Sequence, residues 1–402
     1  MMRKIDSKTK PTHLSDRHPD QENYADFFPY YAEFSALSEF RKKPGCGIEL
    51  NSGIGGGHSV LYLNGVRVDR SAGSYPVLRV CAAHEFPAQS GAGISVNEHY
   101  RNANWIAVEG RDFFMRGALA EGEPLTRDGY LRTQEQAQNL GLYDAIEFQP
   151  KFFKDKPKGM SEREFKYELS IATDYGIRLG RDAYCARVPL NAARMHAIVE
   201  YLNSLNHRYR EGGEEYTWSL FNNNCVHVNR NTLAQAGVLP AWPTGQWAVR
   251  AAFKFPVPKN TLVDLIVSSN DLPIIDPAAL FSDLFTRDTL LRWGTLPTGP
   301  GALTRIEPVI INNDIYDVSR NLKLIFYDNP FWGKYPRNFR RILKSSRYFQ
   351  LRENLRHFLS LYEQIPDTNK HLDEIFWDHY VAHIAQSKKA ISHILQNFQE
   401  TA

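Results

Sequence analysis

Apolar and polar residues alternate on both sides of Asn64-Gly65, over residues 59–63 and 66–70. A two-residue period is the mark of a half-buried strand, and Asn-Gly supplies the positive φ that both central positions of a type I′ turn demand. The pattern predicts a hairpin that pairs Leu63 with Val66 and Leu61 with Val68, one face of which is apolar. The other face carries His58, Val60 and Tyr62 on one strand and Arg67, Asp69 and Ser71 on its partner. Asp69 then falls opposite Val60 and diagonal to His58, a separation that long side chains bridge. Gly-punctuated runs at 48–50, 77–83 and 105–108 read as further strands.

A helical period follows Pro189, at Met195, Ile198, Val199, Leu202 and Leu205, with the proline suited to a first helical position. A second helix opens after Asn222-Asn223-Asn224, whose short amides are N-cap chemistry; Leu233, Ala234 and Ala236 keep the spacing, and Gly237 suits the C′ position. Residues 111–185 read as short strands and loops, with the Lys-rich 151–163 exposed. The part after 261 is mostly helical, ending in an amphipathic helix marked by Asp373, Phe376, Trp377, Tyr380, Ile384, Ile391 and Leu395. The predicted class is α+β. A mobile arm spans 1–30, an antiparallel sheet packed on helices spans 31–260, and a mainly helical region spans 261–402.

Two of these segments carry chemistry. Cys225 falls in the first turn of its helix, where the positive end of the helix dipole favours thiolate over thiol. A buried structural cysteine is the better reading of an arbitrary Cys, so the weight rests on a distant base. His58 is that base, with Asp69 on the same strand face to hold its tautomer and a glycine run at 53 and 55–57 that lets substrate approach. Those glycines are not a phosphate-binding loop, because no Gly-Lys-Ser/Thr follows. Cys225 and His227 with Cys46 or His58 match no common zinc spacing, so no metal or cofactor is expected. His84-Glu85 is an alternative orienting pair but suits a solvated strand end, and Arg111-Asp112 suits an ordinary charged loop.

A His opening a strand as His-x-x-Leu-Tyr-Leu, a tight turn, a polar residue near the end of the returning strand, and much later Asn-Cys-x-His opening a helix resemble the circularly permuted papain-like thiol hydrolases. The lecithin:retinol acyltransferase-like branch of the NlpC-type superfamily is the most similar. The resemblance covers 58–69 and 224–228. It implies a permuted papain-like fold, Cys225 as nucleophile and His58 as base. The family's third polar residue is a second His, where this chain has Asp69 or Arg70, so the orienting role passes to Asp69. His227 matches a further His of the family and is read as support for the site, together with Asn223 and Asn224 near the oxyanion.

Composition changes this picture little. A net charge of +3 on 402 residues is nearly balanced and points to no nucleic acid. No apolar run approaches the 18 residues of a membrane span, and residues 1–23 lack a secretory h-region, so the expected location is cytoplasmic, with specialised export left open. Four cysteines, at 46, 81, 185 and 225, fit neither a disulfide framework nor a zinc ribbon. Residues 334–356 hold eight basic side chains against Glu353 alone, interleaved with aromatics. The preferred reading is a solvated helix face whose Ile342, Leu343 and Leu351 point inward; an anionic membrane surface or a protein partner comes second. Two functions are therefore expected. One is a cysteine-dependent hydrolase or acyltransferase acting on an amide, ester or thioester through an acyl-enzyme on Cys225. The other is a catalytically silent papain-like binding or effector protein whose helical C-terminal region docks a partner.

Overall fold

The computed structural model describes residues 2–5, 23–48, 57–69, 71, 73–82, 85, 90–211, 213–219, 223–243, 257–297, 299–318, 324–327, 334–365 and 372–400. Gly53, Gly55, Gly56, Arg70, His84, Asn222 and most of the Pro- and Trp-rich segment, 244–256, lie outside them. The strands are β1 (Met2–Ile5), β2 (Tyr31–Leu37), β3 (His58–Asn64), β4 (Val66–Val68) and β5 (Leu78–Val80). Then come β6 (Gly91–Ser95), β7 (Ile106–Glu109), β8 (Ala183–Pro189), β9 (Leu303–Glu307) and β10 (Leu324–Tyr327). Helices α1 (Tyr24–Phe27), α2 (Arg111–Arg116), α3 (Arg127–Asn139), α4 (Glu162–Ser170), α5 (Ala192–Arg210) and α6 (Cys225–Gln235) fall before residue 257. After it come α7 (Pro258–Asn270), α8 (Pro277–Ser282), α9 (Leu284–Trp293), α10 (Lys334–Leu343), α11 (Leu351–Tyr362) and α12 (Glu374–Glu400). The class is α+β.

A six-stranded antiparallel sheet in the order β7-β6-β3-β2-β8-β9 organises the molecule. Its centre is apolar and sealed: Phe34, Leu61, Leu63 and Ile94 have no exposure. Helices α6 and α7 cover one face, where Asn229 reaches Ser59 on β3 and Lys259 lies over the Tyr184 ring on β8. The other face takes α2, whose Phe114 stacks on Tyr62 directly above Gly93. A Cβ at Gly93 would overlap the Phe114 ring, so glycine is what lets helix and strand approach.

Several expectations are corrected. The hairpin is not formed: Leu63 pairs with Ala32 and Ala92, while Val66 pairs with Val80 in a separate two-stranded sheet. Both edges of β3 are occupied by β2 and β6, so the chain turns out of the sheet at Gly65, at a φ of 82°. Residues 111–185 hold α2, α3 and α4 rather than short strands. Pro189 closes β8, and α5 begins three residues later under an Asn191 cap that accepts from the Arg194 N–H at 2.9 Å. The expected mobile arm is fastened at both described ends, by pairing of β1 with β10 and by buried Tyr24, whose hydroxyl donates to Gly301 O at 2.8 Å. The sheet also draws on both sides of residue 260: α7 lies over β2 and β8, and β9 pairs with β8.

The C-terminal helices follow their pattern. Phe376, Tyr380, Ile384 and Ile391 of α12 are buried, and Asp373 accepts from the Phe376 N–H at 3.0 Å. In the basic stretch Ile342 and Leu351 point inward as expected, Leu343 is only half-buried, Phe339 is buried as well, and Asp271 takes Arg341 at 2.5 Å and Arg347 at 2.6 Å. Among the described residues no helix is long and apolar enough to cross a membrane.

Candidate active site

The first turn of α6 is built by Asn224. Its extended backbone (φ −120°, ψ −179°) leaves the side-chain oxygen to accept from the N–H groups of Val226 at 2.9 Å and His227 at 3.1 Å. The His227 Nδ1 also stands 3.0 Å from that oxygen, and its ring packs edge-on to Trp242. His227 is thereby tied to the cap and the wall behind it. Asn223 is committed elsewhere, its amide donating to Thr217 O at 3.1 Å. Asn224 uses its side-chain oxygen on the cap and Asn223 its amide N–H on Thr217 O, while the Cys225 backbone N–H points to the sulfur at the helix start.

Cys225 is nearly sealed, at 9 % exposure. Its sulfur meets Ser59, the residue after His58, through both the hydroxyl and the backbone N–H. Burial pushes the thiol pKa up; the Ser59 donors and the N–H groups of Val226 and Cys225 act against that push. The helix terminus thus works in the expected direction, but desolvation outweighs it. The resting group is a thiol.

By strand alternation His58 leaves β3 on the face opposite Ser59; among the described residues its ring makes no hydrogen bond to the Cys225 sulfur, and it engages a different set of residues. Its Nε2 lies 3.2 Å from Ser95 Oγ, and Ser95 Oγ donates to Asp174 Oδ1 at 2.6 Å. Asp174 also accepts from Tyr100 at 2.6 Å, Tyr143 at 3.0 Å and Asn97 at 3.2 Å. Burial pushes this carboxyl up and the four donors pull it back. A serine hydroxyl has one proton, and Ser95 spends it on Asp174. Toward His58 it can only accept, so the neutral imidazole carries its proton on Nε2 and keeps Nδ1 as its basic nitrogen. Burial, then the Arg181 cation, then His99 lower the His58 pKa to about 3, so the ring is neutral at physiological pH.

The Arg181 cation is felt by both groups: it lowers the His58 pKa and is itself favoured by Cys225. Burial pushes its pKa down to about 9, while Tyr316, Asp174 and Cys225 favour its charge. Its guanidinium donates to Ala172 O and to Ser38 O at 3.2 Å. Ala172 holds a φ of 61°, a left-handed conformation costly for a residue with a Cβ. That strain lies two residues before Asp174.

Asp69 does not take the role expected of it. It is solvent-facing, and its carboxylate accepts from the Ser71 N–H at 3.0 Å and hydroxyl at 2.6 Å, which lowers its pKa. Its predicted position rested on the hairpin that β3 and β4 do not form. Ser59, Ser95, Asp174 and Arg181 were not singled out in the sequence. The one local signal was a polar residue at every second position over Ser95, Asn97 and His99, continuing the face of a strand that ends at Ser95. Among the described residues no cluster of three or more His, Cys, Asp or Glu could hold a metal ion. No protein-family model, no curated protein and no solved structure matches the chain.

Proposed function

We propose that this protein is a cysteine-dependent hydrolase or acyltransferase with a permuted papain-like arrangement, in which Cys225 attacks an amide, ester or thioester carbon. The observation that carries the reading is the contact of the Cys225 thiol, at the start of α6, with Ser59, the neighbour of a histidine whose proton is assigned to Nε2. In this reading substrate binding brings His58 Nδ1, which makes no hydrogen bond to the thiol in the resting structure, to the thiol proton, and Nδ1 takes that proton as sulfur bonds to the acyl carbon. The oxyanion that forms meets the Cys225 N–H; one such donor is typically worth about 3 kcal/mol. Collapse expels the leaving group with the His58 proton and leaves an acyl-enzyme. Water then completes hydrolysis, or a second nucleophile completes transfer. Ser95 and Asp174 hold the imidazole in its tautomer, the role the sequence assigned to Asp69. Neutral partners make this a concerted proton transfer rather than attack by a preformed thiolate.

Burial of both groups also favours a second reading, a catalytically silent domain that binds a partner. One experiment separates them. A panel of electrophilic amide, ester and thioester probes should leave an acyl adduct on Cys225, identified by mass, that forms far more slowly in His58→Ala. Adducts spread evenly over Cys46, Cys81, Cys185 and Cys225, or none on Cys225 under native conditions, would leave only the silent reading.

A further inference from the structure

Glu33 and Glu307 lie on the sheet face away from α6, and four guanidiniums converge on them. Arg111 bridges the pair, at 2.8 Å from Glu33 and 2.9 Å from Glu307. Arg187 meets Glu33 at 2.5 Å, Arg178 meets Glu307 at 3.1 Å, and Arg305 contacts the same Glu307 carboxylate. Against the upward push of burial, the arginines hold the Glu33 pKa at about 2 and that of Glu307 lower still. Cys185, between them, is kept a neutral thiol by burial. Among the described residues the excess of positive charge gathers at Glu307, whose single carboxylate is shared by Arg111, Arg178 and Arg305.

Guanidinium does not shed its proton to relieve such an excess, and an uncompensated buried charge is expensive. Arg116, the next cation, is occupied by Asp112 at 2.9 Å and Glu121 at 3.9 Å, so those carboxylates do not make up the deficit. The cluster is closed on one side and open on the other. Glu33, Arg111 and Arg187 are at most 6 % exposed, whereas Arg178 and Arg305 are each 22 % exposed. Arg178 Nε donates to Pro308 O at 3.1 Å. The terminal nitrogens of Arg305 make no hydrogen bond among the described residues. Burial, followed by repulsion from Arg111 and Arg187, lowers the Arg305 pKa. Glu307 shares a sheet row with Ala183, Leu37 and His58. Three strand spacings put it roughly 14 Å from His58, clear of the Cys225 thiol.

We propose that the Arg178–Arg305 edge of this cluster is a binding site for a doubly charged oxyanion of the phosphate class. Paired guanidinium forks suit such an anion geometrically, and a dianion cancels the excess. The site does not depend on the reaction proposed for Cys225.

The test is a thermal-shift and calorimetric titration of the full chain with inorganic phosphate and with phosphoserine, each against sodium chloride at equal ionic strength. Phosphate is expected to raise the melting temperature in a saturable way that chloride does not reproduce. Arg305→Gln should weaken phosphate binding about tenfold or more, Arg178→Lys should weaken it less, and Arg337→Gln, on exposed α10, should leave it unchanged. Binding of phosphoserine as well would mark the site as one for phosphate esters; binding of inorganic phosphate alone would mark it as an ion site. An equal response to chloride, or full phosphate binding by both Arg305→Gln and Arg178→Lys, would overturn the proposal. Should Arg305→Gln fail to fold, Arg178→Lys and the wild-type titration still decide it.

Discussion

One shared proton fixes the tautomer of His58, because Ser95 cannot donate to Asp174 and to the imidazole at once. Its removal should be visible at the thiol. With Ser95→Ala or Asp174→Asn the Nε2-protonated tautomer, with Nδ1 free, is no longer held, and under the proposed mechanism Cys225 alkylation by iodoacetamide at pH 7.5 is expected to slow about tenfold with the fold retained by circular dichroism. The pH profile carries a second prediction. A thiol pushed up by burial and an imidazole at about 3 form no ion pair at neutral pH, so alkylation should climb through the alkaline range. A rate plateau between pH 5 and 7 would instead mean a preformed thiolate–imidazolium pair. Acid stability follows from the same burial. His58 and His99 are lowered to about 3 and His383 to about 4, against 6.5 in the unfolded chain. Below pH 6.5 the unfolded state binds protons that the folded state refuses, so stability falls as pH drops toward 3. Each such imidazole adds a slope of up to about 1.4 kcal/mol per pH unit. Urea unfolding of His99→Phe at pH 7 and pH 4.5 should show a smaller loss between the two than the wild type.

At the scale of elements, what was legible was what is local. Asn224 capping α6, the apolar stripe of α12 and the inward face of the basic stretch all follow from residues within a few turns. The Asn64-Gly65 hairpin was equally local in appearance and did not form, because a turn signal says nothing about competitors for a strand's edges. Here β2 and β6 take both edges of β3, and Asn64 donates to Pro29 O at 2.7 Å. Helix α3 escaped the pattern because it buries only Gly129, Tyr130, Thr133 and Ala137, with no aliphatic stripe to read. Two substitutions probe this level. Asn224→Ala removes the acceptor for two N–H groups and should cost about 1 kcal/mol in urea denaturation. Gly93→Ala drives a methyl into the Phe114 ring and should cost about 1–3 kcal/mol, partly restored by adding Phe114→Leu.

For the whole molecule, the consequence is that the chain does not divide at residue 260. A chain ending at Val257 loses α7, with its buried Leu262, Val263, Leu265 and Ile266, and loses β9, leaving β8 as an unpaired edge. It is expected to lack a cooperative thermal transition and to aggregate, as an exposed apolar sheet face and a bare edge strand do. A cooperative transition in that fragment, seen by calorimetry, would show that the sheet stands without its last strand. The sequence by itself determined the α+β class, the helix start that presents Cys225, and the candidate pairing of that thiol with the strand of His58. These depend on capping, periodicity and residue type, which act over a few residues. Only the tertiary structure decided which carboxylate is linked to His58, through the Ser95 hydroxyl. Asp69 is 11 positions away in the chain and faces solvent, whereas Asp174 is 116 positions away and is brought by the segment between α4 and β8 to the end of β6. Contacts of that separation are chosen by burial and by satisfaction of hydrogen bonds across the packed sheet, and no local pattern encodes them.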